Sequence, residues 1–214
     1  MAGRIYTVAQ QKGGAGKTTL AAHLAIAWSE AGLRVAVVDI DPQGSLTRWF
    51  QTRKDQLNGK TGIGHTQITG WRTQQAVERL TQENDVVVID SPPHAETEAR
   101  IAVRSAHLVI VPVQPSPMDM WATQPTLDLA REEKVPALLV INRVPPRAKL
   151  ADDLIERITT MGTNSGATVA RTHVGNRIQF AAALFEGRSV TESAKRTRAA
   201  KEIQELAAEI LNRG

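Results

Sequence analysis

The sequence predicts an α/β protein with a doubly wound, mostly parallel sheet and helices on both of its faces. Short apolar runs rich in Val and Ile recur along the chain at intervals long enough to hold a helix. These runs are continuous rather than alternating, which is typical of strands covered on both sides. The segments between them have helix-forming compositions, so that strand and helix alternate as right-handed crossover units require.

Six apolar runs predict strands, the last of them weakly: Ile5–Gln10, Val35–Ile40, Val86–Asp90, Leu108–Val113, Ala137–Asn142 and Ala167–Ala170. The intervening segments predict helices over Thr18–Glu30, Thr73–Gln82, Asp119–Glu133 and Ala151–Met161, and a closing helix begins near Thr191. The polar, glycine-bearing segment Arg53–Arg72 fits either a short extra strand or a mobile loop. In sheets of this class, ligands bind at the carboxyl ends of the strands.

Composition narrows the possible functions. A chain of 214 residues is long enough for one domain, which we place over 1–214, and too short for two ordinary ones. The absence of cysteine excludes a disulfide framework, a thiolate nucleophile and a cysteine-ligated iron–sulfur cluster, and fits a reducing cytoplasm. No run approaches the roughly 18 apolar residues of a membrane span, and the start of the chain lacks a secretory signal.

A phosphate-binding loop is predicted directly after the first strand, in the stretch QQKGGAGKTT. Glycines allow backbone N–H groups to turn inward around a phosphate, and the start of the following helix adds its positive dipole end. Lys17 is placed to neutralise the β and γ phosphates, and the Thr18 hydroxyl to bind Mg²⁺. The predicted nucleotide-binding residues of this loop are Lys12, Gly13, Gly14, Ala15, Gly16, Lys17, Thr18 and Thr19.

Three aspartates follow buried strands near this loop. Asp90 ends the run VVVID, where a carboxylate would hold Mg²⁺ through water. Asp39 and Asp41 flank Ile40 at the end of the second strand. A single aspartate at a strand end is more often a turn former or a helix cap. Three of them beside one phosphate loop favour a metal and nucleotide site.

The order and number of these motifs resemble the ParA/MinD family of deviant Walker ATPases, most closely the short ParA partition ATPases. The resemblance covers nearly the whole chain. It is carried by KGGAGKTT, DIDPQGS, VVIDSPP, PVQPSPMD and the strand-end INR. It also accounts for two departures from the ordinary phosphate loop, Gln11 in place of the first glycine and the additional lysine Lys12.

The resemblance implies a role for each site residue. The family's extra lysine, matching Lys12, reaches across a nucleotide-bridged dimer to the phosphates bound by the other subunit. Asp41 would orient the attacking water, which makes Lys12, Lys17 and Asp41 the implied catalytic set. Thr18, Asp39 and Asp90 would belong to the metal site, with Asp39 alternatively bracing the loop. Asn142 would contact the adenine edge, and the cofactors would be ATP and Mg²⁺.

The resemblance also implies what the ATPase does. The family uses its ATP dimer to bind DNA without sequence specificity, and a ParB-like or equivalent activator protein stimulates hydrolysis. We therefore expect a homodimer on ATP binding and a cytoplasmic, nucleoid-associated protein. Because the first strand begins near residue 4, we expect no N-terminal helix-turn-helix domain and no direct autorepression. A plasmid, a chromosome or a protein assembly remains open as the cargo.

Two clusters of basic residues are candidates for DNA contacts. The favoured cluster has a single acid, Glu192, within its span and consists of Arg188, Lys195, Arg196, Arg198 and Lys201. The other has no acidic residue between its members and consists of Arg143, Arg147 and Lys149. Clusters of this kind suit phosphate contacts whose affinity depends on salt. A solvated helix face is the alternative explanation for either cluster.

The alternative function is a MinD-like ATPase that cycles on a membrane, which would require an amphipathic terminal helix. Apolar residues do recur at helical spacing near the end of the chain, from Ile203 to Leu211, but Glu202, Glu205 and Glu209 share the same helix, and it contains no Phe or Trp. A helix that packs on the core explains the pattern better, and we expect no membrane partner.

Overall fold

One all-parallel sheet forms the centre of the computed structural model, which describes residues 3–93, 96–146 and 149–213. In these residues the sheet has the strand order β3-β2-β4-β1-β5-β6-β7. The strands are β1 (Arg4–Val8), β2 (Val35–Asp39), β3 (Gly64–Gln67), β4 (Val86–Asp90), β5 (Leu108–Val113), β6 (Ala137–Ile141) and β7 (Thr168–Val169). The predicted doubly wound fold is therefore confirmed, with every described strand pair parallel.

Helices cover both faces of the sheet. They are α1 (Lys17–Glu30), α2 (Ser45–Gln56), α3 (Thr73–Glu83), α4 (Glu96–Arg104), α5 (Pro117–Glu132), α6 (Lys149–Asn164), α7 (Ile178–Phe185), α8 (Val190–Ser193) and α9 (Arg198–Leu211). One apolar core joins the sheet to α1, α2, α7 and α9, and a second joins its opposite face to α3, α4, α5 and α6. Burial of these two layers of aliphatic side chains is the main term that stabilises the fold.

The structure adds elements that the sequence pattern did not predict. The segment Arg53–Arg72 contains the short edge strand β3, one of its two expected alternatives, but it begins inside α2. The helices α2, α4 and α7 were not predicted, and the expected closing helix is divided into α8 and α9. In α2 the buried side chains are Leu46, Trp49 and Arg53, so that the apolar stripe is interrupted by a cation and its periodicity is weak.

Strand register brings the functional motifs to one edge of the sheet. Asp39 at the end of β2 lies opposite Asp90 at the end of β4, and Asp90 lies opposite Val8 at the end of β1. The loop after β1 therefore starts beside both carboxylates. This is the carboxyl edge where a parallel sheet binds its ligands.

Candidate nucleotide-binding site

The loop between β1 and α1 depends on glycine at two positions. Gly14 and Gly16 have φ angles of 79° and 94°, in the left-handed region that side chains rarely adopt. A Cβ atom on Gly16 would lie 2.6 Å from the side-chain nitrogen of Asn142. Gly16 precedes α1 without a side-chain cap, so no side chain bonds the first amides of that helix. These amides are available to an anion.

Polar side chains from neighbouring strand ends hold the loop in place. The amide nitrogen of Asn142 donates to the carbonyl oxygen of Ala15 at 2.9 Å, and that of Gln114 donates to Gly14 at 3.0 Å. The side-chain oxygen of Asn142 accepts from the backbone of Arg143 at 3.0 Å. Asn142 thus has a structural function in the loop, and its contact with adenine stays a prediction.

Lys17 is the cation at the centre of the site. It is buried, and burial lowers the pKa of its ammonium group, whereas the nearby Asp90 and Asp41 carboxylates act in the opposite direction. A buried lysine is compensated best by an anion close to it. The phosphates of a nucleotide would supply that charge at the start of α1.

Thr18 and Asp90 form a pair suited to a magnesium ion. The Thr18 hydroxyl donates to Oδ2 of Asp90 at 2.6 Å, whereas Oδ1 of Asp90 is buried without a hydrogen-bond partner. Burial, more than any other influence, raises the pKa of Asp90 to about 7. A hard divalent cation held by oxygen atoms would compensate the buried carboxylate and use its unpaired oxygen. The residues present therefore fit Mg²⁺.

Asp39 uses both carboxylate oxygens within the protein. Its Oδ1 accepts from the backbone of Asp41 at 3.1 Å, and its Oδ2 accepts from the backbone and hydroxyl of Thr47 at 2.8 and 2.7 Å. These bonds fix the turn after β2 to the first turn of α2. Of the two expected roles of Asp39, the geometry favours bracing over metal binding.

Asp41 lies at the wall of the same site. It is 8% exposed and borders the cavity that also contains Lys17 and Thr18. Its Oδ1 accepts from the backbone of Gln43 at 2.9 Å, which fixes the direction of the side chain. Asp41 therefore shares a cavity with Lys17 and Thr18, and its orientation of an attacking water stays a prediction.

Lys12 is directed away from the cavity, onto the first turn of α5. Its ammonium group forms an ion pair with Oδ2 of Asp119, whose side chain is 3% exposed, while that of Lys12 is 34% exposed. Oδ1 of Asp119 is buried without a hydrogen-bond partner. Gly13, Gly14 and Lys17 border the cavity, but Lys12 does not. Two lysines five residues apart thus have different surroundings.

The cavity above the loop has a volume of about 1090 Å³ and is lined by both polar and apolar side chains. The polar lining includes the phosphate loop, Asp41 and Asn142. The apolar lining includes Trp49 from α2 and Phe180 and Leu184 from α7. Apolar walls with a few polar groups are the usual composition of a small-molecule site.

The predicted DNA-binding residues differ in their surroundings. Arg198 pairs with Glu202 at 3.0 Å and Lys201 with Glu205 at 3.6 Å, so acids compensate both charges. Lys195 and Arg196 are exposed between α8 and α9 and take part in none of the ion pairs found in the described residues. Arg188, half-buried, accepts a bond from Trp49 through its backbone oxygen.

Of the second basic cluster, only Arg143 has a side chain among the described residues. Arg143 borders the nucleotide cavity, and its Nε lies 3.9 Å from where a Cβ on Gly16 would be. Arg147 and the side chain of Lys149 lie outside the described residues. Arg143 therefore belongs to the cavity, a placement that the sequence did not indicate.

The terminal helix packs on the core, as expected. Ile203, Leu206 and Ile210 of α9 are fully buried, and the indole nitrogen of Trp28 donates to the backbone of Ala207. Glu202 and Glu209 bond backbone amides of the neighbouring loop, so the acids too face inward. No helix in the described parts of the chain is long and apolar enough to cross a bilayer.

Fold and site together define a P-loop nucleotide-binding protein with a second lysine in its loop. Comparison with protein families gives the particular group: residues 6–210 match the CobQ/CobB/MinD/ParA nucleotide binding domain. The chain belongs to this family, and the resemblance inferred from the motifs is confirmed.

Curated relatives include proteins that distribute or segregate cellular contents. The chain is 30% identical to the maintenance of carboxysome distribution protein A of Halothiobacillus neapolitanus, covering 95% of this chain and 94% of that protein. It is 27% identical to the chromosome-partitioning ATPase Soj of Thermus thermophilus, covering 98% and 96% of the two chains.

Two solved structures share the fold over nearly their whole length. An ATP complex of McdA from Cyanothece superposes with a TM-score of 0.79 at 17% identity, covering 99% of this chain and 97% of that one. Cobyrinic acid a,c-diamide synthase of Mycobacterium smegmatis, solved with an ATP analogue and magnesium, gives 0.77 at 21% identity, with 98% and 94% covered. The expected cofactors, ATP and Mg²⁺, agree with the ligands of these structures.

Proposed function

We propose that this protein is a ParA-type ATPase that binds Mg²⁺-ATP, dimerises on it, and positions a cellular cargo on non-specific DNA. Lys17 and the first amides of α1 hold the phosphates, and Thr18 and Asp90 hold the metal. The metal supplies electrostatic stabilisation of the transferring phosphoryl group. Asp41 orients the attacking water. Names of two relatives, a carboxysome distribution protein and a partition ATPase, support a positioning role.

The observation that carries this proposal is the ion pair between Lys12 and Asp119. Within a single chain the second lysine of the loop is paired outside the cavity. A lysine has a flexible stem and a compact charge, so it can leave one carboxylate for a phosphate presented by another subunit. ATP offers a γ phosphate that ADP lacks. The nucleotide state would thereby control whether two chains remain together.

DNA binding is assigned to the exposed cations Lys195 and Arg196, extended by Arg188. This set gives one chain only three cations for DNA, whereas a dimer presents two such sets. Contacts to phosphates alone make affinity independent of sequence and strongly dependent on salt. Hydrolysis, stimulated by a ParB-like or equivalent activator, would release the dimer from the nucleoid. Because α9 buries its apolar stripe, a membrane is not proposed as partner.

A mobility assay on random-sequence duplex DNA tests this function. We expect a salt-sensitive complex with ATP and a much weaker one with ADP. The double variant Lys195→Glu/Arg196→Glu should lose the complex and still dimerise with ATP. The double variant Arg79→Glu/Lys134→Glu, which changes exposed cations on the opposite side of the sheet, is the matched control and should bind DNA like the parent. Equal DNA binding with ADP and with ATP would contradict a nucleotide-controlled switch.

A further inference from the structure

A chain of hydrogen bonds runs from the edge strand β3 to the turn that carries Asp41. It passes through His65, Thr47 and Asp39, in that order. Nε2 of His65 lies 3.0 Å from the hydroxyl oxygen of Thr47, and this hydroxyl donates to Oδ2 of Asp39 at 2.7 Å. The other carboxylate oxygen of Asp39 accepts from the backbone N–H of Asp41 at 3.1 Å. The chain therefore ends on the backbone of a residue that borders the nucleotide cavity.

Only one set of donors and acceptors fits this chain. The Thr47 hydroxyl has a single hydrogen, which it donates to the carboxylate of Asp39. The oxygen of Thr47 must therefore accept from His65, so that Nε2 of the imidazole carries a hydrogen. The ring of His65 stacks on Phe50 of α2 with the ring centroids 4.6 Å apart. Stacking and hydrogen bond together fix His65 against the helix that contains Thr47.

Asp39 also takes the place of a cap at the start of α2. The residue before this helix is Gly44, which has a φ of 65° and no side chain that could bond the first amides. Oδ2 of Asp39 accepts from the backbone N–H of Thr47 at 2.8 Å and so satisfies one of these amides. Asp39 is fully buried, and a buried carboxylate is stable only where it is hydrogen-bonded. Loss of the Thr47 hydroxyl would therefore allow the carboxylate of Asp39 to turn.

The turn after β2 makes the direction of Asp41 sensitive to Asp39. Oδ1 of Asp41 accepts from the backbone of Gln43 at 2.9 Å, and the backbone oxygen of Asp41 accepts from Gly44 at 2.8 Å. The N–H of Asp41 is bound by Asp39. A small misplacement of a group beside the reacting atoms lowers a reaction rate strongly. A shift of Asp39 would reach the carboxylate of Asp41 through this turn.

We propose that Thr47 and His65 are positioning residues for ATP hydrolysis, which hold Asp39 and, through it, the carboxylate of Asp41. The inference rests on the proposed function, because it requires that Asp41 orients the attacking water. Among the described residues, Asp41 borders the nucleotide cavity, whereas Thr47 and His65 do not. Their effect on a bound nucleotide has to pass through the turn after β2.

The test measures single-turnover hydrolysis of ATP together with affinity for a non-hydrolysable ATP analogue. Thr47→Val replaces the hydroxyl by a methyl group, and His65→Phe removes the N–H but keeps a ring against Phe50. Each should lower the hydrolysis rate at least ten-fold and change the affinity for the analogue less than two-fold. Thr47→Ser and His65→Gln, which keep a hydroxyl and an N–H donor, should retain most of the rate. Thr159→Val, which removes an exposed hydroxyl from α6, is the control and should hydrolyse ATP like the parent.

A second background shows whether the effect passes through Asp41. In Asp41→Asn the charge that orients the water is already absent. Adding Thr47→Val to Asp41→Asn should therefore lower the remaining rate less than two-fold, although the same change lowers the parent's rate at least ten-fold. A residue that only stabilises the fold would lower the rate equally in both backgrounds.

The outcomes separate this inference from the proposed function. The inference alone would be overturned by Thr47→Val chains that hydrolyse ATP at the parent's rate, by equal losses in both backgrounds, or by lost affinity for the analogue. Conservative variants as slow as Thr47→Val and His65→Phe would overturn it as well. A parent that does not hydrolyse ATP, or Asp41→Asn chains as fast as the parent, would overturn the proposed function and the inference with it.

Discussion

The side-chain amide of Asn142 donates a hydrogen bond to the carbonyl oxygen of Ala15, 2.9 Å away, and so joins the end of β6 to the middle of the phosphate loop. Both residues are buried. Loss of the amide would leave a buried carbonyl unpaired, at a cost of about 1–3 kcal/mol. The shape of the loop thus depends on a residue more than a hundred positions further along the chain.

Asn142→Ala should weaken the binding of ATP and ADP alike, because both nucleotides use the same loop. The expected loss is roughly ten-fold, which corresponds to about 1.4 kcal/mol. Titration calorimetry measures it, with Asn164→Ala at the exposed end of α6 as the control. A variant that binds ADP normally and only loses the preference for adenine over guanine would instead support a contact to the base alone.

Thr18→Val should abolish the effect of Mg²⁺ on nucleotide affinity. The parent should bind ADP more tightly with Mg²⁺ than with a chelator, because the Thr18 hydroxyl and Asp90 hold the ion. The variant should bind equally under both conditions, whereas Thr18→Ser, which keeps the hydroxyl, should behave like the parent. A magnesium effect that persists in Thr18→Val would remove Thr18 from the metal site.

Asp41→Asn should bind ATP and hydrolyse it poorly. The side-chain oxygen of the asparagine can still accept the hydrogen bond from the backbone of Gln43, so the turn should keep its shape. Any loss of hydrolysis then reports the removal of the negative charge alone. Removing a group that assists proton transfer typically lowers a rate by about 10²–10⁴-fold. Phosphate release under single-turnover conditions is the measurement, and turnover at the parent's rate would show that another group orients the water.

Glu192→Gln should destabilise the fold at neutral pH through its ion pair with the buried Arg53. Burial alone would raise the pKa of Glu192, but bonds from Arg53 and from the backbone of Ser189 outweigh it, and the pKa lies below its ordinary value. The stabilisation is therefore full above the unfolded pKa of about 4.3 and is lost as the pH falls through the folded pKa. Breaking a fully buried pair costs about 3–5 kcal/mol. Because Glu192 is only half-buried, we expect a smaller loss of unfolding free energy here.

Urea unfolding at neutral and acidic pH measures this effect. The free energies of unfolding of the parent and of Glu192→Gln should differ clearly at neutral pH and become similar at acidic pH. The control is Glu205→Gln, since Glu205 is half exposed and its pair with Lys201 is 3.6 Å long. An exposed pair contributes about 0–1 kcal/mol. If Glu192→Gln lowered the free energy of unfolding by the same amount at both pH values, the loss would not depend on the ionisation of Glu192, which would contradict the prediction.

The sheet and the phosphate loop could be predicted because local sequence determines them. Val and Ile runs such as Val86–Asp90 are buried on both faces, and glycines with positive φ leave a recognisable spacing. Asp39 and Asp90 were predicted near the loop from the rule that strand ends meet. Contacts between distant parts of the chain could not be predicted. The residues around Asn142 and Arg143 give no sign that Asn142 bonds Ala15 or that Arg143 lies close to Gly16.

Helices with mixed faces were missed for a related reason. Arg53 is buried in α2 because Glu192 and the carbonyl of Gly187, far along the chain, satisfy its guanidinium group. A cation at a core position masks the apolar period on which prediction depends. Likewise, the apolar outer face of α7 gives that helix no amphipathic pattern.

The action of Lys12 across the dimer is tested most directly by ATP hydrolysis in an equimolar mixture of Lys12→Ala and Lys17→Ala chains. Each variant alone should be inactive. Lys12→Ala lacks the lysine that reaches the phosphates of the partner, and Lys17→Ala cannot bind the phosphates of its own nucleotide. In a mixed dimer, the Lys12→Ala chain keeps an intact loop and receives Lys12 from the Lys17→Ala chain, which completes one site. We expect the mixture to regain hydrolysis. A mixture as inactive as its components would contradict a lysine that acts across the dimer.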